Sequence, residues 1–234
     1  MNIYVTNLNS FPVGFSYQEN FKYIGYKYIH MDRKLTKFNI LIPFSNIHKN
    51  YHIREIARIF NVHHAVASKL LKLLLKESIL RRDVKGREQI YSLNFGNSLT
   101  IKYLSICENI KLFDFIKNRT DIEKSLFLDL INLLINFYPK DILLSLIFGS
   151  YAKGYETEKS DIDIMIILRV DKRKGLNKAI NNIGKKWGKK ISILYLTIND
   201  FENNLKEKNK MLIDIIENHI ILVGSEEYMT MVIE

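Results

Sequence analysis

The chain has 234 residues, and its 35 Lys and Arg against 25 Asp and Glu give a net charge of +10. Apolar residues make up 47% of the chain and charged residues 26%, a composition that excludes a largely disordered protein. The single cysteine, Cys107, excludes a disulfide framework and any metal site made of several cysteines. The positive charge favours partners that carry phosphate groups, although a solvated Lys-rich surface explains it equally well.

Neither the N-terminal residues nor the most apolar run predicts a membrane segment. The first twenty residues lack the basic and apolar regions of a signal peptide. The longest apolar run, residues 125–138, is interrupted by Asp129, Asn132 and Asn136, so it should not span a membrane. We therefore expect a cytoplasmic protein without membrane contacts.

Residues 1–34 form an N-terminal extension without helical periodicity, and they contain Pro12, Gly14 and Gly25 among many Tyr, Phe and Asn. A short β ribbon or a loose arm is one interpretation of this composition. The other is that the protein starts at Met31, because a recognisable pattern begins shortly after that residue. The sequence alone does not decide between them.

Residues 35–98 are predicted to contain two helices followed by a hairpin. The first helix covers residues 51–60, and its apolar face is Ile53, Ile56, Ala57 and Phe60. The second helix covers residues 63–78, and its expected buried face is Val66, Leu70, Leu73 and Leu74. Gly86 then lies between two short alternating runs rich in Arg and Lys, which is a hairpin signal.

This order of elements resembles the winged helix-turn-helix domains of prokaryotic transcription regulators. Such domains insert the second helix into the major groove of DNA and lay the hairpin, or wing, along the backbone or the minor groove. An alternative is a winged helix used only for protein contacts or dimerisation. The resemblance implies DNA contacts from His63, His64, Ala67, Ser68, Lys69 and Lys72 of the helix, and from Arg81, Arg82, Lys85 and Arg87 of the wing.

Residues 99–139 have helical periodicity and carry no recognisable chemistry. Their broad apolar face includes Leu126, Leu128 and Leu130, and Pro139 is expected to end the helix. We interpret this stretch as a helical linker that packs on the residues that follow it.

A strand, a turn and a second strand follow in residues 140–168. Residues 142–148 form a continuous apolar run that ends in Gly149 and Ser150, which predicts a buried strand, a tight turn and a short helix before Gly154. Asp161 and Asp163 open the next apolar strand. Side chains alternate along a strand, so the two carboxylates should share one face.

Two neighbouring carboxylates on an apolar strand repel each other and resist burial, and a divalent cation between them would compensate both effects. Mg²⁺ takes one or two carboxylates together with phosphates and water. The Gly149–Ser150 turn offers backbone N–H groups and a hydroxyl for phosphate. The sequence therefore predicts a combined metal and nucleotide site.

The pattern of Gly and Ser before the paired aspartates resembles the DNA polymerase β nucleotidyltransferase superfamily, and is most similar to the small prokaryotic minimal nucleotidyltransferases. The resemblance covers residues 140–224. It implies a polymerase-β-like domain (140–234) with a mixed sheet packed on helices. Together with the winged helix-turn-helix resemblance (35–98) and the helical linker (99–139), it predicts an α+β chain. Implied ligands of Mg²⁺ or Mn²⁺ are Asp161 and Asp163, and implied contacts of the nucleoside triphosphate are Gly149, Ser150, Lys153, Gly154 and Ser160; Lys153 is equally well read as a solvated lysine.

One position departs from the superfamily pattern, in which active members carry a third carboxylate on a later strand. The corresponding strand, residues 190–196, contains no acid, and Ser192 is the expected occupant of that position. A neutral hydroxyl is a poor general base. Asp200 lies past the strand and is expected to cap the next helix. Glu156 and Glu158 lie in the loop before Ser160; we expect them to face solvent, and the alternative is that they approach the metal.

Three functions stay open. The first is a Mg²⁺-dependent enzyme that transfers a nucleoside monophosphate to a hydroxyl of a nucleic acid or protein. The second is a DNA-binding regulator that senses nucleotides without turnover. The third is one member of a toxin–antitoxin pair that acts beside a small helical partner protein. A homodimer is a further candidate assembly, because winged-helix regulators commonly bind as dimers.

Overall fold

The computed structural model describes residues 35–47, 49–86, 88–170 and 173–233. The predicted N-terminal extension, residues 1–34, lies outside the described residues, as does Arg87 of the predicted wing. Within the described ranges, no helix combines the length and the apolarity that a membrane crossing needs.

The N-terminal unit consists of short helices and a three-stranded antiparallel sheet. Its elements are α1 (Lys37–Leu41), a 3₁₀ turn (Ile42–Ser45), β1 (Tyr51–His52), α2 (Ile53–Ile59), α3 (His64–Lys76), β2 (Leu80–Lys85) and β3 (Glu88–Leu93). The predicted hairpin is confirmed as β2 paired with β3, with Gly86 at φ 61° in its turn. The predicted first helix was two residues too long at its start, because Tyr51 and His52 pair as a strand with Tyr91 and Ile90 of β3, and one residue too long at its end, where Phe60 is the C-cap.

The buried face of α3 differs from the expected one. Ala67, Leu71 and Leu74 are completely buried, so Ala67 does not face a ligand. Val66 and Leu73 were expected in the core but are 44% and 41% exposed. Apolar residues cover more than half of this helix, and packing against α1 and α2 selects which of them become core.

Two longer helices connect the N-terminal unit to a second sheet. They are α4 (Leu99–Lys117) and α5 (Asp121–Ile135), and α5 begins with a capping box in which Thr120 accepts from the Glu123 N–H. The helical prediction for residues 99–139 is confirmed, although Leu128 is half exposed instead of buried. Helix α5 also ends before Pro139.

The second sheet is mixed and has the strand order β6-β5-β4-β7. Its strands are β4 (Ile142–Phe148), β5 (Ile162–Leu168), β6 (Ile191–Thr197) and β7 (Ile220–Val223). Strand β4 runs antiparallel to β5 and β7, and β5 runs parallel to β6. The intervening helices are α6 (Gly149–Lys153), α7 (Arg173–Trp187), α8 (Ile198–Lys206), α9 (Lys210–Glu217) and α10 (Ser225–Ile233).

The two faces of this sheet belong to two apolar clusters. Ile162, Ile164 and Ile166 of β5 pack in the cluster that contains residues of α5 and α7. Met165 and Ile167 pack on the other face, with residues of α8, α9, α10, α4 and the N-terminal unit. Because side chains alternate, Asp163 lies on this second face, at the edge of a core shared by both halves of the chain.

Candidate functional site

The end of β4 meets the start of β5. Phe148 pairs with Asp163 in the antiparallel register, so the turn that follows Phe148 lies against the Asp163 side chain. Gly149 adopts φ 68°, and a Cβ placed there would collide with Oδ2 of Asp163 and lie 3.3 Å from its Cγ. Only glycine permits this backbone conformation together with this close approach.

Asp161 and Asp163 act on each other electrostatically. Burial raises the pKa of Asp163, the negative charge of Asp161 raises it further, and the ammonium of Lys190 lowers it. Both aspartates are partly exposed. They therefore form a small, partly desolvated pair of negative charges beside the Gly149 turn.

Lys190 is a member of this site that sequence reasoning missed. Its Nζ makes an ion pair with Oδ2 of Asp161, and this hydrogen bond raises the pKa of Lys190. The N–H of Ile162, the residue between the two aspartates, donates to the Lys190 carbonyl at 2.9 Å. This hydrogen bond holds the backbone of Lys190 beside the aspartates. The available signal was strand pairing, since two strands in register bring Lys190 level with Asp161.

Strand β6 supplies a hydroxyl opposite Asp163. The parallel register aligns Asp163 with Ser192, which is the position that the sequence assigned to the missing acid. Asp200 takes no part in the site. As expected, it caps α8, where its Oδ2 accepts from the Thr197 N–H at 2.9 Å and from the Thr197 hydroxyl at 2.7 Å.

Lys153, at the end of α6, points away from solvent and contacts α9. Its Nζ lies 2.6 Å from Oδ2 of Asp214, and its side chain is 19% exposed. Hydrogen bonding to Asp214 raises the pKa of Lys153, although partial burial lowers it. The partner of Lys153 in this structure is therefore a carboxylate, and its contact with phosphate stays a prediction.

The other predicted nucleotide contacts lie in the loop that joins β4 to β5. Gly154 ends α6 at φ 68°, and its N–H donates to the Ser150 carbonyl. The Ser160 hydroxyl accepts from the Thr157 N–H at 2.9 Å and so closes the turn before Asp161. Ser150 is partly exposed beside Gly149. These residues shape the loop that brings the aspartates and the turn together.

Glu156 was expected in solvent but forms an ion pair with Arg119, which follows α4. The Arg119 guanidinium also lies 4.1 Å from the centroid of the Phe115 ring and donates to the Tyr151 carbonyl at 3.3 Å. Arg119 and Glu156 are 5% and 20% exposed. This contact anchors the loop to the helical linker, while Glu158 is exposed as expected.

The residues proposed to contact DNA have different surroundings. His63 is the N-cap of α3, where its Nδ1 accepts from the Ala65 N–H at 3.2 Å, and Ser68 is partly buried. Arg81 donates from Nε to Oδ1 of Asn94 at 2.7 Å. Lys85 ends β2, and Arg87 lies outside the described ranges. Among the predicted DNA contacts, the exposed side chains are His63, His64, Lys69, Lys72, Arg81 and Arg82.

A divalent cation is compatible with the two aspartates but has few further protein ligands. Their mutual repulsion and partial burial fit a pair of Mg²⁺ ligands, since Mg²⁺ needs only one or two carboxylates beside phosphates and water. Across the part of the chain that the structure describes, no cluster of three or more His, Cys, Asp or Glu could hold a metal. Any cation here would take most of its ligands from substrate and solvent.

Comparison with known proteins shows similarity of this region to nucleotidyltransferase domains. Residues 135–223 match the family model of the nucleotidyltransferase domain. A protein of Methanocaldococcus jannaschii, named "Putative protein adenylyltransferase", is 26% identical over 97 residues, which cover 39% of this chain and 65% of that relative. The match thus covers less than two thirds of that relative's length. No solved structure matches the present chain. These similarities support nucleotidyl transfer as the general chemistry of residues 135–223.

Proposed function

We propose that the protein is an enzyme that transfers a nucleoside monophosphate from a nucleoside triphosphate to a hydroxyl group of a protein. One observation carries this proposal: Gly149 packs directly on the Asp163 carboxylate. A phosphate-binding turn and a metal ligand must lie side by side if one metal–nucleotide complex is to contact both. The name of the M. jannaschii relative favours a protein as acceptor and adenylate as the transferred group.

In this proposal Asp161 and Asp163 hold Mg²⁺ or Mn²⁺, which neutralises charge on the phosphates. The backbone at Gly149 and the Ser150 hydroxyl bind the β- and γ-phosphates, with Gly154 and Ser160 shaping the loop. Lys153 would reach the phosphates only if its ion pair with Asp214 broke and the ammonium bound the phosphates instead. The acceptor hydroxyl attacks the α-phosphorus, the bond from that phosphorus to the bridging oxygen breaks, and pyrophosphate leaves.

The proton of the acceptor hydroxyl has no acidic side chain to receive it on β6. Ser192 occupies the position that faces Asp163, so the proton passes to solvent. General bases contribute about 10²–10⁴-fold to the rate of such reactions. We therefore expect slow nucleotidyl transfer, accelerated mainly by the positioning of the acceptor hydroxyl against the α-phosphorus.

The test is incubation of the full chain with α-labelled nucleoside triphosphates, Mg²⁺ and candidate acceptor proteins. Asp163→Asn should abolish label transfer, whereas Asp121→Asn, a change of the same chemistry at a side chain that is 99% exposed on α5, should not. Small helical proteins belong among the acceptors, because the toxin–antitoxin hypothesis predicts one. If no acceptor is labelled but the chain still binds nucleotide, the enzymatic proposal is wrong.

A nucleotide-sensing DNA regulator is the second candidate, and Ser192 opposite Asp163 favours it, because binding needs no general base. The N-terminal unit would then be a DNA-binding winged helix, with Lys69, Lys72, Arg81 and Arg82 as exposed positive charges. Phosphate contacts make DNA affinity fall steeply with salt. DNA affinity that does not depend on salt would contradict this candidate.

A further inference from the structure

We infer that the site holds a single divalent cation with the nucleotide, and that the Lys190 ammonium occupies the space of a second cation beside Asp161. The inference rests on the proposed function, because it concerns the metal–nucleotide complex of the same site. It assigns Lys190 a role as a built-in counter-charge and fixes the number of metal ions at one.

The strand register places the backbone of Lys190 level with Asp161, and the side chain then brings the ammonium to that carboxylate. Strands β5 and β6 pair Ile162 with Ile191, and the Ile162 N–H donates to the Lys190 carbonyl at 2.9 Å. Lys190 therefore follows β5 at the level of Asp161. The Lys190 side chain is 74% exposed, so water alone could hydrogen-bond its ammonium. Its Nζ nevertheless contacts Oδ2 of Asp161.

The charge of the site suits one divalent cation. Asp161 and Asp163 carry two negative charges, Lys190 neutralises one of them, and Ser192 is neutral. Two metal ions in one site lie about 3.5–4 Å apart, and here they would meet the ammonium as well as each other. A single Mg²⁺ with one or two carboxylates and the phosphates of its substrate has no such conflict.

The lysines near Lys190 have other partners, which makes one of them a matched control. Lys153 contacts Asp214. Lys189 donates to the Glu158 carbonyl at 2.9 Å and lies 5.7 Å from the centroid of the Tyr151 ring. Lys189 thus differs from Lys190 by one position in sequence and has the same charge, but its ammonium is paired elsewhere.

The experiment is Mn²⁺ binding to the full chain with a non-hydrolysable triphosphate, followed by electron paramagnetic resonance. The wild type should show the signal of isolated Mn²⁺ at one ion per chain. Lys190→Gln should tighten Mn²⁺ binding by about two- to fivefold, the range that exposed ion pairs reach. Lys189→Gln should change it by less than about 1.5-fold, because the Lys189 ammonium donates to the Glu158 carbonyl and makes no ion pair with Asp161.

A double variant, Lys190→Gln with Ser192→Asp, replaces the ammonium by a neutral group and adds a third carboxylate opposite Asp163. It should bind a second Mn²⁺, and the two ions should give an exchange-coupled spectrum. Cooperative thermal unfolding is the check that both variants fold. A folded double variant that still holds one ion would overturn the inference.

The remaining outcomes separate this inference from the proposed function. An exchange-coupled pair in the wild type, or an unchanged Mn²⁺ affinity in Lys190→Gln, overturns the single-cation inference and leaves the nucleotidyltransferase proposal standing. Mn²⁺–nucleotide binding no stronger than that of Asp163→Asn overturns the proposed function, and the inference with it.

Discussion

Replacing Gly149 by alanine tests the contact between the turn and Asp163 without removing any charge. Gly149 has φ 68°, a conformation that costs an L-residue about 1–2 kcal/mol. At about 2–4 °C for each kcal/mol in a protein of this size, the melting temperature should fall by about 2–8 °C. The new Cβ would also displace the Asp163 carboxylate, and a misplacement of about 1 Å costs roughly 10²-fold in rate. We expect label transfer to fall by about that factor.

Gly188 supplies the matched control, because it shares the backbone conformation but not the contact. It lies between α7 and β6 at φ 66°, and a Cβ there meets nothing within 4 Å. Gly188→Ala should lower the melting temperature as much as Gly149→Ala while keeping label transfer. Equal loss of transfer in both variants would mean that backbone strain alone is responsible. Unchanged transfer in Gly149→Ala would refute the functional importance of the close approach.

Three further predictions concern other parts of the chain. Burial raises the pKa of Glu108, but Lys111 and His219 hold it at about 2, so its stabilising effect exists above the unfolded value of 4.5 and is lost as pH falls toward 2. Glu108→Gln should reduce the free energy of unfolding by about 3–5 kcal/mol at neutral pH and flatten its decline in acid, as measured by urea denaturation at several pH values. Arg119→Met should reduce the free energy of unfolding by a smaller amount, about 1–3 kcal/mol, because the Glu156 carboxylate that loses its partner is 20% exposed. The double variant with Glu156→Gln should recover part of that loss, and strict additivity would contradict the coupling. Under the second candidate function, the DNA-binding regulator, Lys69→Ala and Lys72→Ala should each lower the salt slope of DNA binding by about 1, whereas Lys117→Ala on α4 should leave it unchanged.

Local sequence patterns predicted the strands around the aspartates because those strands are continuous apolar runs. The run at 142–148 corresponds to β4. That Asp161 and Asp163 share one face stays a prediction, because β5 begins at Ile162 and Asp161 precedes it. Hydrophobic periodicity did not predict the structure correctly where residues distant in the chain pair with each other. Tyr51 and His52 continue a helical pattern but pair with β3, and the contact of Lys190 with Asp161 requires the register of two strands. Helix α10 was not predicted.

One hydrophobic core is shared by the N-terminal unit, the helical linker and the second sheet, which the sequence predicted as separate domains. This affects how an acceptor would be selected. Ile40 and Leu71 of the N-terminal unit, Leu104 of α4, and Leu144 and Met165 of the sheet belong to one buried cluster. The face of β5 that enters this cluster is also the face that carries Asp163. A molecule bound to the N-terminal unit is therefore held at a defined distance from the aspartates. Under the proposed function, that distance selects which hydroxyl reaches the nucleotide, so acceptor choice depends on the shared core as much as on the surface of α3.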